Sequence, residues 1–535
     1  MRSFVALRSL LVMKFGFLAA TALLLSALSL TAEVTVNPLF ADHMVLQRER
    51  LLPVWGKATP GEEVTVSFAG ESKSTKANEI GRWQVVLSPK AVSRHPQKLT
   101  VKGKNLIVLE DVLVGDVWLG MGQSNMDWSL STTDRREVIE KMPPGKFDNI
   151  RLFKVGETQV DTPAEEVKGA WTAAATKEIL AFSATLFYFG EALSEHHPDV
   201  PLGLIRSSVG ATNLYCWIPN ELRDDDPSAA YLRTWWSNAM KGWSPEKQVQ
   251  RDRELAEYEA KLKDYQQRKV NPPQDFKKPG ELLGPQWSRR PSALYNGMIA
   301  PLQPYALRGV IWYQGEWDSK HDWVTVYHDM FAGFAKRLRA NWASKSGGVS
   351  PGKFPIFLVQ LPAREPNDGK YWPYMREVQE RLATTVPDSG FVVTYDTNDP
   401  NELHPREKSP IGQRLALLAR AKVYGEKVDW HGPLLKSSKQ DGAQLVLEFD
   451  AGSESLKSSD GLPLRNFEVA GEDGAYYPAV AEIRGSGVRV SSPAVKSPRT
   501  ARFAFVPAPG KPNFYNSAGL PAAPFRTDKL SRPSK

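Results

Sequence analysis

The sequence predicts a parallel α/β sheet covered by helices on both faces, with a β-sandwich-like module before it and another after it. Two observations carry this reading. Apolar runs of buried-strand type, "VLVGDVWLG", "IRLFKV", "PLGLIRSS", "LRGVIWYQ", "FPIFLVQL" and "GFVVTYD", alternate with "ILAFSATLFYFGEALSEH", "YMREVQERLATTV" and "IGQRLALLARAKVYG", which are apolar at helical spacing. Strands alternating with helices build parallel sheets with both faces covered. On either side of this region the pattern changes to short alternating strands separated by Gly/Pro-rich turns, the signature of small β modules.

Residues 1–32 begin with Arg2, Arg8 and Lys14 and continue into "FGFLAATALLLSALSLTA", an uncharged run ending in small residues. This pattern is that of a secretory signal peptide, with a retained anchor as the alternative because the run is near the lower length for spanning a bilayer. Export places the mature protein outside the cell or in a periplasm. The segment carries three positive charges and no negative ones, so the formal balance falls from +8 to +5 without it. That mild balance, with no Lys/Arg block, excludes a nucleic-acid partner. A single cysteine, Cys216, excludes an intrachain disulfide.

From 33 to 109, "EVTVSFAG", "RWQVVLS" and "KLTVKG" alternate around "TPGEE" and "NEIGR". The α/β region runs from 110 to 430. It is interrupted at about 245–280 by "PEKQVQRDRELAEYEAKLKDYQQR" and "NPPQDFKKPG", which read as a charged, solvated helical insertion. From 431 to 535, "QLVLEF", "RNFEVAG", "GVRVSS" and "ARFAFVP" form the closing β module.

Four polar loops leave the predicted carboxyl ends of strands, where open α/β sheets bind their ligands. In "VWLGMGQSNMDW" a glycine-rich turn lifts Ser124 between two amides. By itself this is a nucleophile turn or only a structural one. A serine nucleophile needs a base, and among eight histidines His404, in the polar loop "NELHPREK" after "FVVTY", lies at the same edge. "RSSVGATNLYCW" offers the Gly210 N–H, and "IWYQGEWD" offers the Gln314 amide, as donors to a developing oxyanion. Each such donor contributes about 3 kcal/mol to transition-state stabilisation.

"GQSNM", "SSVGATNLYCW", "WYQGEWD" and "NELHPREK", in that order, resemble the four sequence blocks of the sialate O-acetylesterase-like carbohydrate esterases, a branch of the SGNH/GDSL hydrolases. "MVLQRERLLPVWGKATPGEEVTVSF", "RPSALYNGMIAPLQP" and "NSAGLPAAPFRTD" extend the likeness to most of 33–530. The resemblance implies an SGNH-hydrolase, flavodoxin-like three-layer sandwich and an exported serine esterase that removes O-acetyl groups from sialic acid or from a polysaccharide such as xylan or xyloglucan. It makes Ser124 the nucleophile, His404 the general base, and Gly210, Gln314 and the Ser124 N–H the oxyanion hole. Where such enzymes often carry an aspartate, three residues before the histidine, this chain has Asn401. Glu402 is then the expected acid, with Asp396, Asp399 or a Ser–His dyad as alternatives. Ala211 and Tyr215 also depart from the family pattern.

No cofactor and no metal are expected: "EWDSKHDW" lacks a zinc-binding spacing. Trp128, Trp217, Trp317 and Trp372 lie in or near the site loops and are candidates for stacking on sugar rings, against the alternative that they are core. Arg206, Arg364 and Arg376 are read either as holding a substrate carboxylate or as structural ion pairs. A non-catalytic glycan-binding protein on a degenerate hydrolase core is the competing reading. Neither the oligomeric state nor the acetylated position follows from these residues.

Overall fold

The computed structural model describes residues 33–348, 352–365 and 369–528. The signal-peptide expectation falls on 1–32, outside the described residues. Among the described residues no helix is long and apolar enough to cross a membrane.

The central sheet has the strand order Trp171–Ala173, Ile150–Lys154, Leu202–Ser208, Leu106–Gly122, Gly309–Tyr313, Ile356–Val359, Ser389–Val392. All neighbouring pairs are parallel except the first, where Trp171–Ala173 runs antiparallel at the edge. The sheet is therefore mixed rather than purely parallel. Three residues with no crossover helix between them and the preceding strand can return only antiparallel, and "WTA" is too short to announce itself as a strand.

Alternation along the strands feeds two cores. Val310, Trp312, Ile356 and Leu358 point to one side, where helices Val324–Lys345 and Trp372–Thr385 supply Phe331, Phe334, Leu338, Met375 and Leu382. Ile311, Phe357 and Val359 point to the other, against Leu186, Phe189, Leu415 and Leu418 from Ala184–His196 and Ser409–Lys422. The latter two helices approach closely because Gly412 has no side chain; a Cβ there would lie 2.5 Å from the Tyr188 backbone. A sheet with both faces covered explains why these strands are continuous apolar runs.

The N-terminal region forms two small sheets. Thr35–Val36, Leu52–Lys57 and Arg82–Leu87 make one, and Glu63–Phe68, Glu71–Lys76 and Ser93–Lys102 pair into the other. Alternating burial in Glu63–Phe68 and Arg82–Leu87 closes Val64, Val66, Trp83 and Val85 between them. The boundary expected at residue 109 falls inside one strand: Leu106–Gly122 is 17 residues long and passes unbroken from the second small sheet into the central one. The expected charged helix is Pro245–Arg268, with Ser244 capping it and no buried residue. From Leu434 onward, two four-stranded sheets and a strand pair enclose a separate core of Leu447, Phe449, Phe467, Val488, Phe503 and Phe514. Arg376 fastens this module to the central sheet, donating to the carbonyls of Leu361 and Pro362 on one side and Val506 and Pro507 on the other.

Candidate active site

The site forms where three strands end level with one another. Gly122 is in register with Ser208 on one side and Tyr313 on the other, so the chain leaves the sheet at the same height three times. Gly122 has φ +134°, and a Cβ there would lie 2.1 Å from the Tyr313 carbonyl oxygen. Only glycine permits this exit. The chain then turns at once into the short helical turn Ser124–Asp127, which leaves Ser124 half-buried.

The turn after Leu202–Ser208 lies directly against Ser124: a Cβ built on Gly210 would sit 3.6 Å from the Ser124 Cβ. Among the described residues the N–H groups of Ser124 and Gly210 take no acceptor within the chain. Two unspent backbone donors beside a serine oxygen are the elements of an oxyanion hole.

Gln314 does not join them. Its side chain is fully buried, its Nε2 donates to the Thr212 carbonyl at 3.0 Å and to Asp318 Oδ2 at 2.5 Å, and its Oε1 accepts from Tyr327 at 2.7 Å. With both amide protons taken, Gln314 corrects to a tether that holds the 209–213 turn in place. Its anchor, Asp318, is buried and also accepts from the Leu214 N–H at 3.2 Å; burial pushes its carboxyl up to about 7.

His404 is brought to the serine turn by Trp128, whose ring stacks on the imidazole at 4.1 Å and 19°. The Trp128 N–H in turn bonds the Ser124 carbonyl at 2.7 Å. His404 Nε2 is buried with no partner among the described residues. Burial, and then the charges of Lys408 and Arg364, pull the imidazole down to about 4, so it is uncharged at physiological pH.

Glu402 is not brought to His404. Its carboxylate is 44% exposed and faces Arg406 at 4.0 Å. The alternatives are committed elsewhere: Asp396 is held by both guanidinium nitrogens of Arg414 and by the Tyr515 hydroxyl, and Asp399 accepts from the Asn401 backbone and side chain. The Glu402 N–H bonds the Asp399 carbonyl at 2.9 Å, so the chain turns just before the histidine, a geometry that sequence position alone does not reveal.

Trp217 is core rather than a sugar platform: it is fully buried, bonds Thr212 through Nε1 at 3.0 Å and packs edge-on against Trp312. Trp372 is likewise buried, with Nε1 on the Pro362 carbonyl. Trp128 and Trp317 remain half-buried, and each has an indole N–H without a partner among the described residues. Of the arginines, Arg206 is ion-paired to Asp127 and Arg364 donates to the Asn401 carbonyl.

Sequence reasoning missed three buried polar residues packed below the serine: Asn125, Glu316 and Lys408. Asn125 Nδ2 donates to Glu316 Oε1 at 2.5 Å and to the Leu403 carbonyl at 3.2 Å, while Lys408 Nζ donates to Asn125 Oδ1. Each lies inside one of the four motif blocks, which was the available signal.

Comparison with known proteins finds carbohydrate esterases. The family model described as carbohydrate esterase, sialic acid-specific acetylesterase matches residues 278–420. The chain is 29% identical over 438 residues to the sialate O-acetylesterase of Mus musculus, covering 74% of each. It is 27% identical over 427 residues to that of Homo sapiens, covering 74% of this chain and 72% of the relative. The crystal structure of a carbohydrate acetylesterase from Xanthomonas citri superposes with a TM-score of 0.76 at 30% identity, covering 93% of this chain and 100% of that one.

Proposed function

The chain belongs to the sialate O-acetylesterase-like carbohydrate esterases and is a carboxylic ester hydrolase; we propose that it is an exported serine esterase of the SGNH type, removing O-acetyl groups from sugars through Ser124 and His404. The single observation that carries this reading is that Gly210 and His404 both lie against the serine turn, a Cβ built on Gly210 sitting 3.6 Å from the Ser124 Cβ and His404 stacking on Trp128 of that turn with its Nε2 unpartnered among the described residues.

In the first step His404 Nε2 takes the Ser124 hydroxyl proton as Oγ attacks the acetyl carbonyl carbon. The negative charge that develops on the carbonyl oxygen is met by the N–H groups of Ser124 and Gly210, while Gln314 keeps the Gly210 turn in place. Collapse breaks the bond to the sugar oxygen, which leaves with the proton from His404. Water then gives a proton to His404 and attacks the acetyl-serine, and the histidine returns that proton to Ser124 as acetate departs. The imidazole is ordered by Trp128 stacking, which supports a Ser–His dyad without Glu402. Trp128 and Trp317, both half-buried, are the side chains for the sugar ring. The substrate is an acetylated sugar, either sialic acid, after the relatives' name, or an acetylated polysaccharide such as xylan or xyloglucan.

Hydrolysis of p-nitrophenyl acetate by wild type, Ser124→Ala and His404→Ala tests the mechanism. Ser124→Ala is expected to lose about 10⁴-fold or more in kcat with unchanged thermal stability. Equal inertness of wild type and variant with glycan binding retained would leave a binding protein instead. Acetate release from a panel of acetylated glycans assigns the substrate; activity confined to polysaccharides removes sialic acid.

A further inference from the structure

The polar residues below Ser124 come from three loops far apart in the chain. Asn125 follows the serine, Glu316 follows the Gly309–Tyr313 strand, and Lys408 immediately precedes the Ser409–Lys422 helix, four residues after His404. All three are fully or almost fully buried. The Asn125 amide joins them, giving its N–H groups to Glu316 and to the Leu403 carbonyl and taking the Lys408 ammonium on its oxygen. Its backbone carbonyl accepts from Thr185 at 3.1 Å. The Lys408 ammonium also lies 5.1 Å over the Tyr313 ring.

Burying a cation and a carboxylate costs several kcal/mol each, and a packed apolar cluster would be at least as stable. Stability therefore does not account for ionisable groups here, whereas their contacts do. Two of them, Asn125 to the Leu403 carbonyl and Lys408 to the Asn125 oxygen, run between the serine turn and the loop that carries the histidine, and Glu316 holds the same Asn125 amide from the third loop. The Leu403 carbonyl, held by Asn125, belongs to the residue before His404, and Lys408 closes the same loop at its other end.

We propose that Lys408 is a positioning residue of the esterase, acting with Glu316 through the Asn125 amide to fix the His404 loop against the Ser124 turn. This rests on the serine–histidine reading above. The charged and titratable groups around it are Glu316 and Tyr313, which face the ammonium, and His404, on whose imidazole Lys408 and Arg364 both act; Glu316 acts on Asp318 in turn. Burial pulls the Lys408 ammonium down and pushes the Glu316 carboxyl up, each opposed by its partners. The cation of Lys408 disfavours a protonated His404, so removing it raises the histidine's pKa.

The test uses Lys408→Met and Glu316→Gln in the full chain, with p-nitrophenyl acetate kinetics against pH, fluorophosphonate labelling of the serine, and thermal melting. Lys408→Met is expected to lower kcat by about 100-fold through misplaced reacting groups, with a small change in KM. It also moves the acid limb of kcat/KM upward by about one pH unit, because a neighbouring cation has gone. Glu316→Gln lowers kcat as well but leaves the limb in place, because burial pushes the Glu316 carboxyl up and so keeps it protonated at the pH of the limb. General loosening would move both limbs the same way. Wild-type kcat with an unmoved limb in a folded Lys408→Met overturns the proposal; if that variant does not fold, Glu316→Gln decides, and wild-type kcat there overturns it. Failure of the serine reading looks different: Ser124→Ala would then keep its activity and no variant would label.

Discussion

Two buried polar clusters lie at the two ends of the parallel part of one strand, Leu106–Gly122, and they are built to opposite effect. At the lower end Asp116 is fully buried and accepts from Gln47, Arg48, Arg308 and the Tyr424 hydroxyl, at 2.7 to 3.0 Å. Burial pushes its carboxyl up, yet Arg48 and Arg308 outweigh burial and hold it below the ordinary range. At the upper end burial wins: Glu316 is pushed up, Lys408 down to about 7 and His404 down to about 4. Partners are also lacking there, since His404 Nε2 and the Trp128 indole N–H find none among the described residues. The same strand thus ends in a saturated ion-pair network that locks charge and in an under-satisfied group where burial favours the uncharged forms of the titrating residues. The second arrangement is the one expected of a reactive site.

Exchanging one substitution between the two ends tests this contrast most strongly. Asp116→Asn leaves two arginines facing a neutral amide and is expected to cost about 3–5 kcal/mol of stability, while each folded molecule keeps its esterase activity. Chemical denaturation and active-site titration measure both; equal loss of specific activity would mean that the two ends are not independent. Ser124→Ala is the mirror image, with activity lost and stability kept.

A smaller effect sharpens the upper end. A depressed histidine stays in its base form until the pH falls below its folded value, so kcat/KM, which reports the free enzyme, is expected to hold down to about pH 4. An acid limb at the 6.5 of an ordinary imidazole would show that His404 is better solvated than its burial indicates. The smallest effect is expected at Glu402. With its carboxylate in solvent beside Arg406, Glu402→Gln should change kcat by less than about threefold, the size expected for an exposed pair. A 100-fold loss would restore it as the acid that orients His404.

Much of this molecule was legible before any coordinates. All six apolar runs of the α/β region are strands of the central sheet, and the charged run 245–268 is one solvated helix. What local pattern hid was the three-residue antiparallel edge and the passage of a single strand through the expected boundary. Periodicity reports burial of a residue, not the identity of its neighbour.

The four motif blocks determined by themselves which residues are polar at the ends of buried strands, and Ser124, Gly210 and His404 are proposed for the site from those blocks. Tertiary structure decided which atoms meet. Gln314 became a tether, Trp217 a core residue and Glu402 a surface group, while Asn125 came to bridge Glu316, 191 positions away, and Lys408, 283 positions away. Pairings at such separations depend on strand order and register, which place three chain exits at one height, and on the low dielectric of the interior, which makes each unshared proton costly. Neither is written in the spacing of residues along the chain.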